Sequence, residues 1–224
     1  MTTAAADLVD EVVAAHNASA LAAAEHISAS FSSGGLAFAL KGQPDALTRV
    51  EARLCPRRQR LTVAGELPTP WTVNVVDGDD LRRRLRELRA GSRRLRWHGE
   101  DVGVFAAAAI WTYLTMPLLL QRAARADRLP DRAGLRRLRV TMPEGVAGHG
   151  PVQTLHIGPD GLIRRHDYTA IAFGTWARAA HAITAYESFD GVPVGTHRVV
   201  TPRIARRLSG PTLVWINIHS VRLA

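Results

Sequence analysis

The hydrophobic pattern of the chain is interrupted by one stretch unlike the rest, 19 uncharged residues from Val102 to Leu120 in a sequence otherwise rich in arginine. Apolar residues there follow neither a three-to-four nor a two-residue period. They fill nearly every position, so a helix over about 101–115 would be apolar on almost all faces and has to be buried. A bilayer span needs about 20 apolar residues, so length alone would permit one. Pro117 near the end, the diluting Gly103, Thr112 and Thr115, and the half-polar segments on either side point instead to a core helix. Pro117 and Leu118–Leu120 then form an extended exit, and no transmembrane span is expected.

On both sides of this stretch the period is regular. Leu8, Val9, Val12, Val13, His16, Ala20, Leu21 and Ala24 recur at three- and four-residue steps and predict an N-terminal helix over residues 4–25. From residue 47 the period becomes two. Val50, Ala52 and Leu54 alternate with Arg49, Glu51 and Arg53, as in a strand with one wet and one buried face. Residues 59–64 and 71–76 read as the next strands, and Asp77-Gly78-Asp79-Asp80 as a turn. In 81–90, Leu81, Leu85 and Leu88 fit a helix, but the segment after that turn is read as a return strand. Beyond the central helix come a strand at 135–142, a hairpin of 152–157 with 162–170, and a second of 178–189 with 192–202 across Asp190-Gly191. Residues 212–221 close the chain, with Val214, Ile216 and Ile218 on one face. A long antiparallel sheet curls. The pattern therefore predicts a single α+β domain over 1–224: an open, incomplete antiparallel barrel of about ten strands, with an N-terminal helix and a buried central helix as lid or plug.

This order of elements resembles the LolA/LolB-like lipoprotein-carrier fold, in which an incomplete barrel holds helices in its mouth over a lipid-binding cavity. The segments Gly35-Leu36-Ala37-Phe38-Ala39-Leu40-Lys41-Gly42, Arg165-His166-Asp167-Tyr168-Thr169 and Trp176–His181 are similar to a group of actinobacterial cytosolic proteins of unassigned function. The resemblance implies that a hydrophobic small molecule or lipid-like ligand is bound inside the half-barrel.

Composition narrows the picture only slightly. Of the 224 residues 46% are hydrophobic, enough for one good core. The net charge is +9, and 28 of the 29 basic residues are arginine, which reads as a GC-rich coding habit more than as a binding surface. A single cysteine, Cys55, precludes an intrachain disulfide, and Asp7, Asp10 and Glu11 stand where a signal peptide would be basic. A cytoplasmic location is the expectation. Arg82, Arg83, Arg84, Arg86, Arg89, Arg93, Arg94 and Arg96 form the strongest charge run, a solvated face or a dock for an acidic carrier protein. It lacks interleaved aromatic stacking platforms, so nucleic acid is an unlikely partner. Neither cysteine nor histidine spacing suggests a metal site, no cofactor motif is present, and nothing fixes the oligomeric state.

The densest polar cluster is Arg164-Arg165-His166-Asp167-Tyr168. Alternation puts His166 and Tyr168 on one face and Asp167 on the other. His181 on the next strand can join the first two, and an imidazole with a phenol in an apolar site are suited to acid–base work. These three are the catalytic candidates if the protein is an enzyme of secondary metabolism, a cyclase, isomerase or epoxide-opening catalyst acting on a hydrophobic substrate. The ligand-binding candidates are Phe105, Trp111, Tyr113 and Leu114 on the central helix, with Trp215 and Asn217 on the last strand.

Overall fold

The computed structural model describes residues 3–91, 96–204, 207–208 and 210–224. Among these residues twelve strands form one antiparallel sheet. Within it β1 (Ile27–Gly34) pairs on one side with β2 (Val50–Leu54) and on the other with β12 (Val214–Leu223). Beyond β2 lie β3 (Leu61–Gly65) and the edge strand β4 (Trp71–Val75). Beyond β12 the chain meanders back through β10 (Val192–Ile204), β9 (Arg178–Phe189), β8 (Ile163–Thr169), β7 (Val152–Ile157) and β6 (Leu135–Thr141) to the other edge, β5 (Arg125–Arg132). A two-residue β11 (Arg207–Leu208) pairs only with β10. The edges β4 and β5 do not pair with each other, so the sheet stays open. Inward positions alternate as the sequence pattern requires; in β2, β3 and β4 every second side chain is buried.

Three strands lie where none was expected, β1, β5 and the two-residue β11, and one expected strand, 81–90, is a helix. β5 escapes the period-two test because Arg125, Asp127, Arg128, Pro130, Asp131 and Arg132 fill it and only Ala126 is buried. It exists because Ala133 and Gly134, both at positive φ, turn the chain back onto β6. The same left-handed pair, Asp190 and Gly191, makes the expected turn between β9 and β10.

Three helical expectations are corrected. The N-terminal helix is two, α1 (Thr3–Ala15) and α2 (Ala18–Ala23), separated by Asn17 at φ 47°. The Asn17 amide donates to the Gly191 carbonyl at 3.1 Å and pins that corner to the β9–β10 turn. A four-residue α3 (Leu36–Ala39) follows β1. Residues 81–90 are no strand but part of α4 (Gly78–Ala90). The Asp77 side chain accepts from the Asp80 amide to cap it, Asp79 and Asp80 sit in its positive first turn, and Leu81, Leu85 and Leu88 bury one stripe.

The central helix α5 runs from Gly99 to Gln121, straight through Pro117, where an extended exit was expected. A proline inside a helix costs about 3 kcal/mol. Leu118, Leu119 and Leu120 are all buried beyond it, each stabilising by about 1.5–3 kcal/mol, and their burial wins. The threonines that dilute the stretch return their hydroxyls to the helix itself, Thr112 to the Ala108 carbonyl at 2.8 Å and Thr115 to that of Trp111 at 2.7 Å. α5 is long and apolar enough to cross a bilayer, but 94% of its most apolar 18-residue stretch is buried within the fold. It packs across β2, β3 and β4 on the concave face, with α1, α2 and α4 against its other sides. Gly99 and Gly103 permit that approach. A Cβ on Gly103 would fall 2.6 Å from the Trp71 ring and equally close to a Val73 methyl.

Candidate ligand-binding site

α5 divides the concave side of the sheet. Its Gly99, Gly103 and Trp111 side faces β2–β4, and the Trp111 indole donates to the carbonyls of Cys55 at 2.9 Å and Arg58 at 3.1 Å. A neighbouring face, presenting Phe105, Ala109 and Tyr113 with Ala106 and Ile110 at its border toward the glycines, stands off from β8, β9, β10 and β12. The gap is a cavity of about 660 Å³, within the range of small-molecule sites. Its far wall is apolar, including Phe31, Ala179, Val200, Val214 and Ile216. Ala106 and Ala109 leave room where larger residues would close it. At the mouth Leu40 and Trp176 are 67% and 80% exposed, and Lys41, Arg178 and Arg203 add positive charge.

The inner end of this cavity is polar. Tyr113 on α5 and Tyr168 on β8 face each other with hydroxyls 3.3 Å apart, and the Tyr113 hydroxyl also meets His149 Nε2 at 3.2 Å. The His149 imidazole stacks on the Tyr168 ring at 3.8 Å. Register puts His166 of β8 directly opposite His181 of β9, with ring centroids 6.1 Å apart, and the His181 ring meets Tyr113 edge-on at 4.7 Å. The three sequence-selected residues His166, Tyr168 and His181 are thus brought together on the concave face. Asp167 points to the other side. There it accepts from His156 at 3.1 Å, Arg165 at 2.8 Å and Arg203 at 3.3 Å. Burial alone would raise that carboxyl, but the hydrogen bonds from His156 and Arg165 outweigh it and hold the pKa at about 2.

Within the cluster burial sets the charge states. Desolvation lowers the His149 pKa to about 3 and drives those of His166 and His181 well below the ordinary histidine value, the nearby Arg198 guanidinium adding to both. Desolvation likewise raises the Tyr113 and Tyr168 phenols. Neutral imidazoles and neutral phenols are the result. Gln153 Nε2 donates to the Gly150 carbonyl at 3.1 Å, which leaves its Oε1 to accept from His166 Nε2, so the proton of that ring sits on Nε2. His166 and Tyr168 share a face as expected, but His166 bonds to Gln153 and Tyr168 to Tyr113, and no hydrogen bond joins the two.

The ligand-binding candidates divide. Phe105, Tyr113 and Tyr168 line the large cavity. Leu114 and His166 belong to a second, smaller cavity beyond Tyr113. Trp111 is 1% exposed and packs on the opposite side of α5, where its hydrogen bonds make it part of the core. Trp215 and Asn217 alternate with the inward Val214 and Ile216, so they lie on the outer face, Trp215 over Gly34 and Asn217 bonded to His197 at 2.6 Å. Sequence reasoning missed His149, Gln153 and Arg198. His149 stands in a loop with no periodicity, but Arg198 had a signal: it occupies an inward position in the series Val194, Thr196, Arg198, Val200. Of the arginine run, Arg83 and Arg84 pair with Asp80 and further with Glu87 and Glu100, while Arg82, Arg86 and Arg89 face a groove beside residues 142–151. Arg93 and Arg94 lie outside the described residues. Among the described residues no three His, Cys, Asp or Glu side chains come together as a metal ion would need.

No family model and no curated protein matches this chain. Among solved structures similar to it are two matched over nearly their whole length. A DUF1329 family protein from Desulfovibrio piger matches over 99% of this chain and 94% of its own, with 14% identity and a TM-score of 0.48. A LolA superfamily protein from Nitrosomonas europaea matches over 98% and 93%, with 9% identity and a TM-score of 0.41.

Proposed function

We propose that the protein binds a hydrophobic small molecule or lipid-like chain between α5 and the concave face of the sheet, as a carrier or sequestering protein. The observation that carries this reading is the cavity of about 660 Å³, apolar along its walls and opening beside exposed Leu40 and Trp176. An apolar cavity of that size stabilises an apolar guest by removing its surface from water, at about 25 cal/mol per Å². Tyr113 and Tyr168 at its inner end offer hydroxyls to orient a polar group on the guest. The enzymatic alternative is weaker on chemical grounds. The phenol facing the guest is held neutral, and its neighbour His166 is hydrogen-bonded to Gln153 rather than to it.

The test is binding of a neutral fluorescent apolar probe such as Nile red. Wild type is expected to bind it, and Ala109→Trp, which fills the cavity from the α5 wall, is expected to lose binding while keeping its circular dichroism. A wild type that leaves the probe dark would defeat the reading. Native mass spectrometry of protein purified from its own host would then give the mass of the natural guest.

A further inference from the structure

Among the described residues Arg198 is the only arginine in the buried core. β10 places it on the concave face between Ile183 of β9 and Ile216 of β12. Its Nε donates to the Gly195 carbonyl at 2.8 Å, and its guanidinium lies 4.8 Å over the Tyr113 ring. Gly195 is required there, since a Cβ would fall 2.5 Å from an Ile183 methyl and 3.0 Å from an Arg198 terminal nitrogen. The groups around this charge are the phenols Tyr186, Tyr113 and Tyr168 and the imidazoles His16, His166 and His181, with no carboxylate among them. A guanidinium does not give up its proton inside a protein. Burying such a charge without a counter-charge is strongly unfavourable, and buried charges are as a rule paired.

The terminal nitrogens of Arg198 carry no hydrogen bond to a described residue. Beside them is the smaller cavity, about 30 Å³, lined also by His16, Tyr113, His166 and Tyr186. That leaves room for roughly two water-sized groups. It suits a monatomic halide or the oxygen end of a carboxylate. His166, which also lines this cavity, lies in the field of the same guanidinium. A negative charge at this place would compensate Arg198.

We propose that Arg198 binds a small monovalent anion, a halide or a carboxylate group, in this inner cavity. Two sources share that chemistry. One is a free ion. The other is the acid end of the guest in the large cavity, which Tyr113 adjoins as part of both walls; this second source rests on the binding function proposed above.

The experiment uses full-length protein in methanesulfonate buffer at fixed ionic strength, with wild type and Arg198→Met compared. Bromide or acetate replacing methanesulfonate is expected to raise the thermal midpoint of wild type and leave Arg198→Met unmoved, which would mark a free ion. If only the guest supplies the anion, decanoate is expected to bind wild type about tenfold more tightly than methyl decanoate, and Arg198→Met to lose the difference. Wild type indifferent to all of these anions would overturn the proposal. Nile red is read in parallel. Bromide response without probe uptake would retain the anion site and reject the apolar guest; probe uptake without any anion effect would do the reverse. Should Arg198→Met fail to fold, anomalous scattering from wild-type crystals grown in bromide, and density for decanoate in a parallel soak, decide. An anion against the guanidinium in either crystal supports the site, and none in both removes it.

Discussion

A buried neutral histidine makes folding sensitive to acid, and this molecule holds three in one cluster. For His149 the folded value of about 3 lies below the ordinary 6.5, because burial penalises its charged form. Between those values the unfolded chain binds the extra proton and the folded chain does not. Stability is therefore complete above about pH 6.5 and declines as the pH falls toward 3, by up to about 1.4 kcal/mol per pH unit for each such group. His166 and His181 shift in the same direction and add to the slope. Urea unfolding at about pH 7.5 and about pH 5 is expected to show this loss, and His149→Phe to reduce it. A stability independent of pH across that interval would mean that the imidazoles remain open to water. Trp111 gives a second test at this scale. Trp111→Phe removes the donor to the Cys55 and Arg58 carbonyls and is expected to cost about 1–3 kcal/mol in unfolding free energy while leaving apolar-probe binding unchanged. Loss of probe binding without loss of stability would put Trp111 back among the ligand contacts.

The elements show where a one-dimensional pattern has enough information and where it does not. β2 and β12 were legible because each has one face in the core and the alternation survives in the sequence, whereas β8, β9 and β10 were legible from the turns that join them into hairpins. β5 was not, since an edge strand that buries only Ala126 has no such alternation to read. α4 was misread because the turn signal at 77–80 was taken to lead into a return strand, although Leu81, Leu85 and Leu88 keep the helical step; the deciding feature was the Asp77 cap and acidic first turn ahead of them. Likewise the common face of His166 and Tyr168 follows from spacing alone, but their lack of a mutual hydrogen bond depends on Gln153 from a different strand. Trp111 and Tyr113 looked equivalent because an all-apolar helix does not announce which of its sides is packed and which is open. The packed side is defined by glycine. Gly103→Ala is expected to destabilise by about 1–3 kcal/mol, measured by denaturant unfolding, as the new methyl pushes α5 off Trp71. A neutral result would show that the helix can shift without cost.

At the scale of the whole molecule the sheet has two edges, which in an open barrel are sites for unwanted pairing. β5 is blunted by its arginines and aspartates and by Pro130, which has no amide hydrogen to offer a neighbour. Replacing Arg125 and Asp127 together by valine is expected to make the chain associate edge to edge, seen as an earlier elution in size-exclusion chromatography. An unchanged elution volume would mean that something other than charge protects this edge. The opposite wall, α5, has a different consequence. Two alanines, Ala106 and Ala109, hold open the space in front of the sheet, and neither contributes to the strand ladders. They act as the marks on a ruler. Exchanging either for a larger residue shortens the guest that fits without disturbing the frame that holds it. On the proposed binding function, selectivity for chain length can then diverge between descendants of this sequence one codon at a time, while the approach of α5 to β4 stays with Gly99 and Gly103.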